Sequence, residues 1–186
     1  HGQKGNSRQT SHRTVGVPRS FFEKYFDKSV LGNFEVALEK FKSLGYEVKD
    51  IELPYLKYSL AVYYILMPAE VSSNLSRFDG VRFGLHVDGE NSIDDYFKTR
   101  GTGFGREVRR RVILGTYVLS SGYYDAYYGQ AQSMRRVITE EIREAFKDVD
   151  VILTPTTPTP AFKFGEKLDP LSMYLADIFT VPANIT

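Results

Sequence analysis

The 186 residues suffice for one domain with a hydrophobic core, and a composition of 42% hydrophobic and 25% charged residues is typical of globular proteins. A net charge of +1 argues against a dedicated nucleic-acid-binding module and leaves room only for a local basic patch, while the absence of cysteine excludes disulfides and thiolate metal sites. Three scattered histidines form no zinc pattern, no apolar run reaches the roughly 18 residues of a membrane span and no signal peptide is visible, so we expect a cytoplasmic protein without a membrane partner.

The first elements along the chain predict a βαβ unit. Residues 1–13 are polar and aperiodic, which favours a disordered or expression-derived tail. Residues 14–18 are typical of a short buried strand, residues 30–44 repeat apolar side chains at helical spacing, and residues 46–53 alternate in polarity like a second strand. Gly45 is expected to end the helix, and the crossover between the two strands should be right-handed.

The middle of the chain predicts three helices. Residues 58–75 are predicted to be a helix, in which Pro68 should cause a kink or start a new helical turn. A short helix is expected to begin at Ser92 as its N-cap, and a central helix spans residues 108–119 before a break at residues 120–122.

The last third of the chain returns to an α/β pattern. A long amphipathic helix over residues 127–145 leads to a short buried strand at residues 149–153. Residues 154–160 are rich in proline and threonine and must be an extended loop, at the strand end where open α/β sheets bind ligands. Asp169 and Pro170 are a good N-cap and N1 pair for a helix that should run to Phe179.

Together these elements predict an α/β fold with a partial mixed β-sheet covered by helices. The chain ends at Thr186 inside what resembles another element, so residues 14–186 are expected to form an incomplete domain. Such a domain should expose the edges of its sheet or pair them with another chain.

Arg111 is the most informative residue of the central helix. On a helical wheel of about 100° per residue it falls among the apolar side chains, whereas Arg109 and Arg110 point away. A buried guanidinium needs an anion, because leaving it unpaired costs several kcal/mol. The apolar face consists of Val108, Val112, Leu114, Gly115, Val118 and Leu119. The candidate partners of Arg111 are Glu107, one turn earlier, and Asp79, Asp125 and Asp177.

Two interpretations of Arg111 stay open at this point. Arg111 can form a simple intrahelical salt bridge with Glu107. Alternatively, it can act with Asp177, which lies in apolar surroundings beside Tyr174 and Ile178 and could itself be a satisfied core residue or a helix-end charge. An arginine that binds an α-carboxylate and an aspartate that binds an α-ammonium would together form a pocket for a free amino acid.

Several other motifs favour structural interpretations. Gly101, Gly103 and Gly105 do not have dinucleotide-binding spacing and fit a turn before the helix better than an anion-binding loop. The serines of Ser120-Ser121-Gly122 lack the context of a nucleophile. A tyrosine cluster favours packing over base stacking, and it consists of Tyr123, Tyr124, Tyr127 and Tyr128. A group of arginines favours a solvated helix face over nucleic-acid contact, and it consists of Arg135, Arg136 and Arg143.

The sequence GFGREVRRRVILGTYVLSSGYYDAYY at residues 103–128 resembles the amidase signature family, and within it the glutamine-hydrolysing branch that serves tRNA-dependent amidotransferases. Supporting segments are VGVPRSFFEKYF, KYSLAVYYILMPAEVSSNLSRFDGVRFG, DVILTPTTPTPAFKFGEKLDPLSMYLADIFTVPAN and the join at residues 44–48. The resemblance covers nearly all of residues 14–186.

The resemblance implies an activity and a set of partners. The branch releases ammonia from glutamine and passes it to a B subunit, which uses ATP and Mg²⁺ to amidate Glu-tRNA(Gln), in a complex that also contains a C subunit. The family's nucleophilic serine, its second serine and its lysine lie in a lysine segment and a Gly/Ser-rich stretch that this chain does not contain. The chain by itself is therefore predicted to be an inactive fragment, with its contact to tRNA made through the complex.

The resemblance also assigns binding residues. The glutamine-binding arginine of the family falls on Arg111, its aspartate on Asp177 and a tyrosine that lines the pocket on Tyr63. Three alternatives remain: a different amidase of the family, a non-catalytic module that binds tRNA or a partner subunit, and a structural fragment with no function of its own.

Overall fold

The computed structural model describes residues 13–22, 26–166 and 170–186. Their contacts divide the chain into two compact units, one made of His1–Leu60 and Val137–Thr186 and the other of Ala61–Arg136. Residues 1–12 of the predicted tail and Asp169 of the predicted helix cap lie outside the described residues.

The first unit contains a three-stranded sheet in the order β2-β1-β3. The strands are β1 (Thr14–Val17), β2 (Glu47–Asp50) and β3 (Val151–Ile152). Val15 is in register with Val48 on one side and with Val151 on the other, and both pairings are parallel. The predicted α/β class and the positions of all three predicted strands are confirmed. The predicted burial of the third strand is wrong, since Val151 is 47% exposed. The predicted mixed sheet is parallel in both pairings of the described residues.

Strand β1 is central because its side chains suit burial on both faces of a parallel sheet. Val15 and Val17 are buried. A Cβ atom on Gly16, which lies between them, would come within 3.0 Å of both Ile51 Cδ1 and Val149 Cγ2. The absence of a side chain at this position lets the neighbouring apolar groups close over the strand.

Helices account for most of the remaining secondary structure in the described residues. The α-helices are α1 (Arg19–Phe22), α2 (Lys28–Ser43), α3 (Ser59–Leu75), α4 (Ser92–Gly103), α5 (Arg106–Leu119), α6 (Gln130–Asp148), α7 (Pro170–Leu175) and α8 (Val181–Ile185). A 3₁₀ turn at Leu56–Tyr58 precedes α3, and a π-helical turn at Tyr124–Gly129 precedes α6. None of these helices has the length and apolar character that crossing a membrane would require.

Both ends of α2 are stabilised by local features of the sequence. Asp27 caps its N-terminus by accepting a hydrogen bond from the Ser29 backbone N–H at 2.8 Å. Gly45 follows the C-cap with φ +86°, the left-handed conformation that favours glycine. The predicted C-terminal stop is confirmed.

The start of α4 differs from the prediction. Asn91, not Ser92, is the N-cap, and its side-chain oxygen accepts hydrogen bonds from the N–H groups of Ile93 and Asp94 at 3.1 Å. Asn and Ser are almost equally good N-caps, so adjacent candidates cannot be ranked from the sequence. The helix also continues through Gly101 and Gly103, which were expected in a turn.

An ion-pair network joins three elements of the first unit. Arg19 on α1 donates from Nε to Asp50 Oδ1 at 2.8 Å, and its terminal nitrogens pair with both carboxylate oxygens of Glu35 on α2. The hydrogen bond from Arg19 lowers the pKa of Glu35, in opposition to its partial burial. The network therefore connects the end of β2 to the two helices that follow β1 and precede β2.

The second unit depends on a close approach between α3 and α5. A Cβ atom placed on Gly115 of α5 would lie 1.8 Å from the carbonyl oxygen of Pro68 and 2.9 Å from Cβ of Ser72. Pro68 is fully buried inside α3, which continues through it. Only glycine allows the two helix backbones to lie this close together.

Substituting Gly115 by alanine should destabilise the second unit. The added methyl group clashes with backbone, so the helices must separate, and we expect a loss of about 3 kcal/mol in the free energy of unfolding. Gly101→Ala adds the same methyl group to α4, where no atom lies within 4 Å, and it should stabilise the protein by about 0.5–1 kcal/mol. Urea unfolding followed by circular dichroism measures both changes, and equal effects would show that the close approach does not matter.

Substituting Glu35 by glutamine should have a pH-dependent effect. Because the folded-state pKa of Glu35 is lowered from an ordinary value of about 4.3, its stabilisation is complete above that value and is lost as pH falls through the lowered pKa. We expect Glu35→Gln to cost about 0.5–1 kcal/mol at pH 7, because the pair is partly exposed, and less at pH 3, which lies below the ordinary pKa of a glutamate.

The control for this measurement is Glu39→Gln on the same helix. Glu39 pairs with Lys42 at 2.8 Å, and both side chains are more than half exposed. Its substitution should change the free energy of unfolding by less than about 0.3 kcal/mol at either pH. A Glu35→Gln cost that stayed constant between the two pH values would contradict the assignment.

Candidate functional site

Helix α5 presents two distinct faces. Its buried residues are Gly115 and Val118, with Val108, Val112 and Leu119 half-buried on the same side. Arg111 belongs to this side, with 34% of its side chain exposed, whereas Arg109 and Arg110 are exposed. The predicted placement of Arg111 is confirmed. Leu114 was expected on this face but is 40% exposed, because its angle on the wheel puts it at the edge of the stripe.

The partner of Arg111 in the structure is Glu107. The Nε group of Arg111 donates to Glu107 Oε1 at 3.0 Å, so the predicted intrahelical pair is present. Of the other candidates, Asp79 accepts a hydrogen bond from the Val81 N–H instead. Within the described ranges, the two terminal nitrogens of Arg111 donate no hydrogen bond.

Tyr63 lies in the second unit with Arg111. It is half-buried on α3, and its ring packs edge-on against Tyr64 with 5.2 Å between the ring centroids. An edge-to-face aromatic pair holds both rings in defined orientations.

Asp177 lies in the first unit, in the turn between α7 and α8. The helix predicted to run to Phe179 ends at Leu175, and Asp177 is exposed although Ile178 and Phe179 are buried. Its backbone carbonyl accepts hydrogen bonds from the N–H groups of Thr180 and Val181 at 3.0 Å. The expectation that apolar residues surround this carboxylate is therefore wrong, since the apolar neighbours turn inward and the aspartate turns outward.

The structure thus places two of the three predicted binding residues, Tyr63 and Arg111, in one unit and Asp177 in the other. Their joint use as one binding site stays a prediction.

A groove of about 890 Å³ lies along the opposite face of α5. Arg109 is held beside it, because its guanidinium donates to the carbonyl oxygens of Phe104, at 2.8 Å, and Gly101. These carbonyls belong to the end of α4, where a cation is favoured. The residues that line the groove are Thr102, Phe104, Gly105, Arg106, Arg109, Arg110, Ile113, Leu114 and Tyr117, and none of the predicted site residues is among them.

Tyrosines cluster where α5 ends and the π-helical turn begins. The rings of Tyr117 and Tyr123 lie 4.4 Å apart between centroids, and Tyr127 stacks on Tyr123 at 6.0 Å. A hydrogen bond with Tyr123 raises the pKa of Tyr117. The predicted packing role is confirmed, but all three rings remain more than 40% exposed, so they pack mainly against one another.

Glu141 is a half-buried carboxylate that the sequence pattern did not predict. It lies on α6 beside the apolar positions Ile138 and Ile142, and its carboxylate accepts a hydrogen bond from the Tyr55 N–H at 3.0 Å. Burial raises its pKa, although hydrogen bonds from the backbone at Tyr55 and Leu56 oppose the shift. The sequence signal that could have identified Glu141 is a charged residue beside two apolar positions of the same helix. The geometry of Glu141 indicates a structural role, in which its carboxylate binds the backbone at the start of the 3₁₀ turn.

The proline-rich loop after β3 forms as predicted and contains no regular secondary structure over residues 153–163. It is anchored by the Asp27 N–H, which donates to the Pro158 carbonyl at 2.9 Å. A cavity of about 270 Å³ lies nearby in the first unit and is lined by apolar residues together with Thr154 and Thr186. Among the described residues, no group of three or more histidine, aspartate or glutamate side chains could hold a metal ion.

Comparison with known proteins identifies the family. The family model described as Amidase matches residues 2–186. The chain belongs to the amidase family. The predicted family resemblance is confirmed.

One curated relative, from Syntrophus aciditrophicus (strain SB), is named as the A subunit of glutamyl-tRNA(Gln) amidotransferase. It is 54% identical over 174 residues, which cover 92% of this chain and 36% of the relative. This chain therefore spans about a third of the length of the curated relatives it matches.

Solved structures agree with this assignment. The crystal structure of the glutamyl-tRNA(Gln) amidotransferase A subunit from Thermotoga maritima matches with a TM-score of 0.67 and 41% identity, over 94% of this chain and 33% of that one. A crystal structure described as an amidase matches with a TM-score of 0.69 and 24% identity, over 94% of this chain and 36% of that one. The second match supports the fold alone.

Proposed function

We propose that this chain is part of the A subunit of a tRNA-dependent amidotransferase, the subunit that hydrolyses glutamine to supply ammonia for converting Glu-tRNA(Gln) to Gln-tRNA(Gln). The observation that carries the proposal is the 54% identity to such a subunit over 92% of the chain. Amidase relatives acting on other amides would not need a pair of charges that recognises a zwitterion.

In this proposal the chain supplies glutamine recognition. Arg111 binds the α-carboxylate, Asp177 binds the α-ammonium and Tyr63 lines the pocket. The half-buried position of Arg111 supports its role, because a guanidinium shielded from water binds a carboxylate more strongly than an exposed one. The side chain of Asp177 is exposed to solvent.

The bond-breaking chemistry lies outside these 186 residues. The serine nucleophile, the second serine and the lysine of the family belong to a Gly/Ser-rich stretch and a lysine segment that have no counterpart in this sequence. The B and C subunits would be its partners in the cytoplasm, with tRNA reached through the complex. ATP and Mg²⁺ would be bound by the B subunit.

Substitution of Arg111 by alanine in the complete subunit should weaken glutamine binding. Loss of charged hydrogen bonds worth about 2 kcal/mol corresponds to a fall in affinity of about 30-fold. Isothermal titration calorimetry with glutamine measures the change. Arg106→Ala removes an exposed arginine from the same helix and should leave the affinity within about twofold; unaltered affinity in the Arg111 variant would refute the assignment.

The 186-residue chain alone should release no ammonia from glutamine. Without the serines and the lysine there is neither a nucleophile nor the base that activates it. A coupled glutamate dehydrogenase assay measures ammonia, and the complete subunit serves for the positive control. Ammonia release above the no-enzyme background would contradict the proposal that catalysis requires the missing segments.

A substrate screen on the complete subunit separates this proposal from a different amidase. Turnover of glutamine with rejection of aryl and fatty amides is the expected result.

A further inference from the structure

Glu107 is placed to control how Arg111 meets a ligand. It lies in the first turn of α5, where a negative charge is favoured by the helix dipole. Its Oε1 accepts from Nε of Arg111 at 3.0 Å. Its other oxygen lies 3.8 Å from Nε of Arg110, so one carboxylate faces two guanidiniums.

The geometry of the contact matters because a guanidinium can bind a carboxylate in more than one way. Its donors are one Nε–H and four N–H bonds on the two terminal nitrogens, in one plane. A carboxylate can bind side-on, to Nε and one terminal nitrogen, or end-on, to both terminal nitrogens. With Nε occupied by Glu107, the side-on mode is blocked and the end-on pair remains available.

We propose that Glu107 is a positioning residue for glutamine recognition: by holding Nε of Arg111, it orients the terminal nitrogens as an end-on fork for the α-carboxylate of the substrate. The inference rests on the proposed function, in which Arg111 binds that carboxylate. It also explains why a second carboxylate lies beside a group meant to attract one: Glu107 fixes the plane of the guanidinium and leaves the opposite edge to the ligand.

A merely structural role for Glu107 predicts a different outcome. As an ordinary helix ion pair, with its side chain 48% exposed, it would contribute slightly to stability and nothing to the Michaelis constant for glutamine. Positioning predicts an increase in KM with little change in kcat, since it affects binding of substrate and transition state equally.

The test uses ammonia release from glutamine by the complete amidotransferase. Glu107→Ala removes the acceptor and should raise KM about 10-fold, with kcat within about twofold. Glu107→Gln keeps a carbonyl oxygen that can accept from Nε, and should restore KM to within about threefold of wild type. Retention of the wild-type circular dichroism spectrum shows that both variants are folded.

Asp94→Asn is the matched control. Asp94 pairs with Lys98 at 2.8 Å in the same i,i+4 arrangement on α4, in the same unit. Asparagine keeps an oxygen for the Glu90 N–H that Asp94 binds. This variant loses a comparable helix ion pair and should leave the KM for glutamine unchanged.

A double-mutant cycle with Arg111→Ala decides whether Glu107 acts through the arginine. In the Arg111→Ala background, Glu107→Ala should add no further increase in KM. A further 10-fold increase in that background, or an unchanged KM for Glu107→Ala in the wild-type background, would overturn the inference while the role of Arg111 stands. If Arg111→Ala itself leaves KM unchanged, the proposed function fails instead.

Discussion

The contact of Gly115 with the backbone of Pro68 is the constraint on which the second unit depends. Because a Cβ atom at position 115 would overlap the Pro68 carbonyl oxygen at 1.8 Å, α5 can lie against α3 only through a residue without a side chain. Arg111 lies one helical turn before Gly115 and Tyr63 lies on α3 itself. The close approach therefore fixes the two helices that carry both predicted binding residues of this unit.

The same helix carries arginines in three different chemical situations. Arg111 is half-buried and bound through Nε by Glu107, Arg109 is bound to backbone carbonyls, and Arg110 is exposed beside a groove. An arginine's contribution to binding depends on which of its donors are occupied and how much water surrounds it. Three adjacent identical residues thus differ in exposure and hydrogen bonding through their angle on one helix.

The sequence predicted the periodic parts of this structure well and the boundaries less well. The strands, α2 and the inward placement of Arg111 follow from side-chain periodicity, which reflects burial directly. A local sequence pattern does not show how similar residues compete or which tertiary contacts form. These factors determine the cap at Asn91, the helical state of Gly101 and the turn that contains Asp177.

One residue of the candidate site, Arg111, could be predicted because it is a charge on an otherwise apolar helix face. A charge on an apolar stripe identified Arg111 without knowledge of any relative, and the structure supplies its partner in Glu107. The exposure of Asp177 could not be predicted in the same way, because a helical wheel applies only where the chain is helical. Residues in turns between short helices require coordinates before their exposure is known.

The contact that Arg109 makes at the junction of α4 and α5 should be sensitive to ionic strength. Its guanidinium binds the Phe104 and Gly101 carbonyls and so serves as a cationic cap on α4 contributed by the next helix. Its attraction to the carbonyl dipoles is weakened by dissolved ions because the side chain is exposed. The contact between the two helices therefore includes a charge–dipole attraction that should weaken as ionic strength rises.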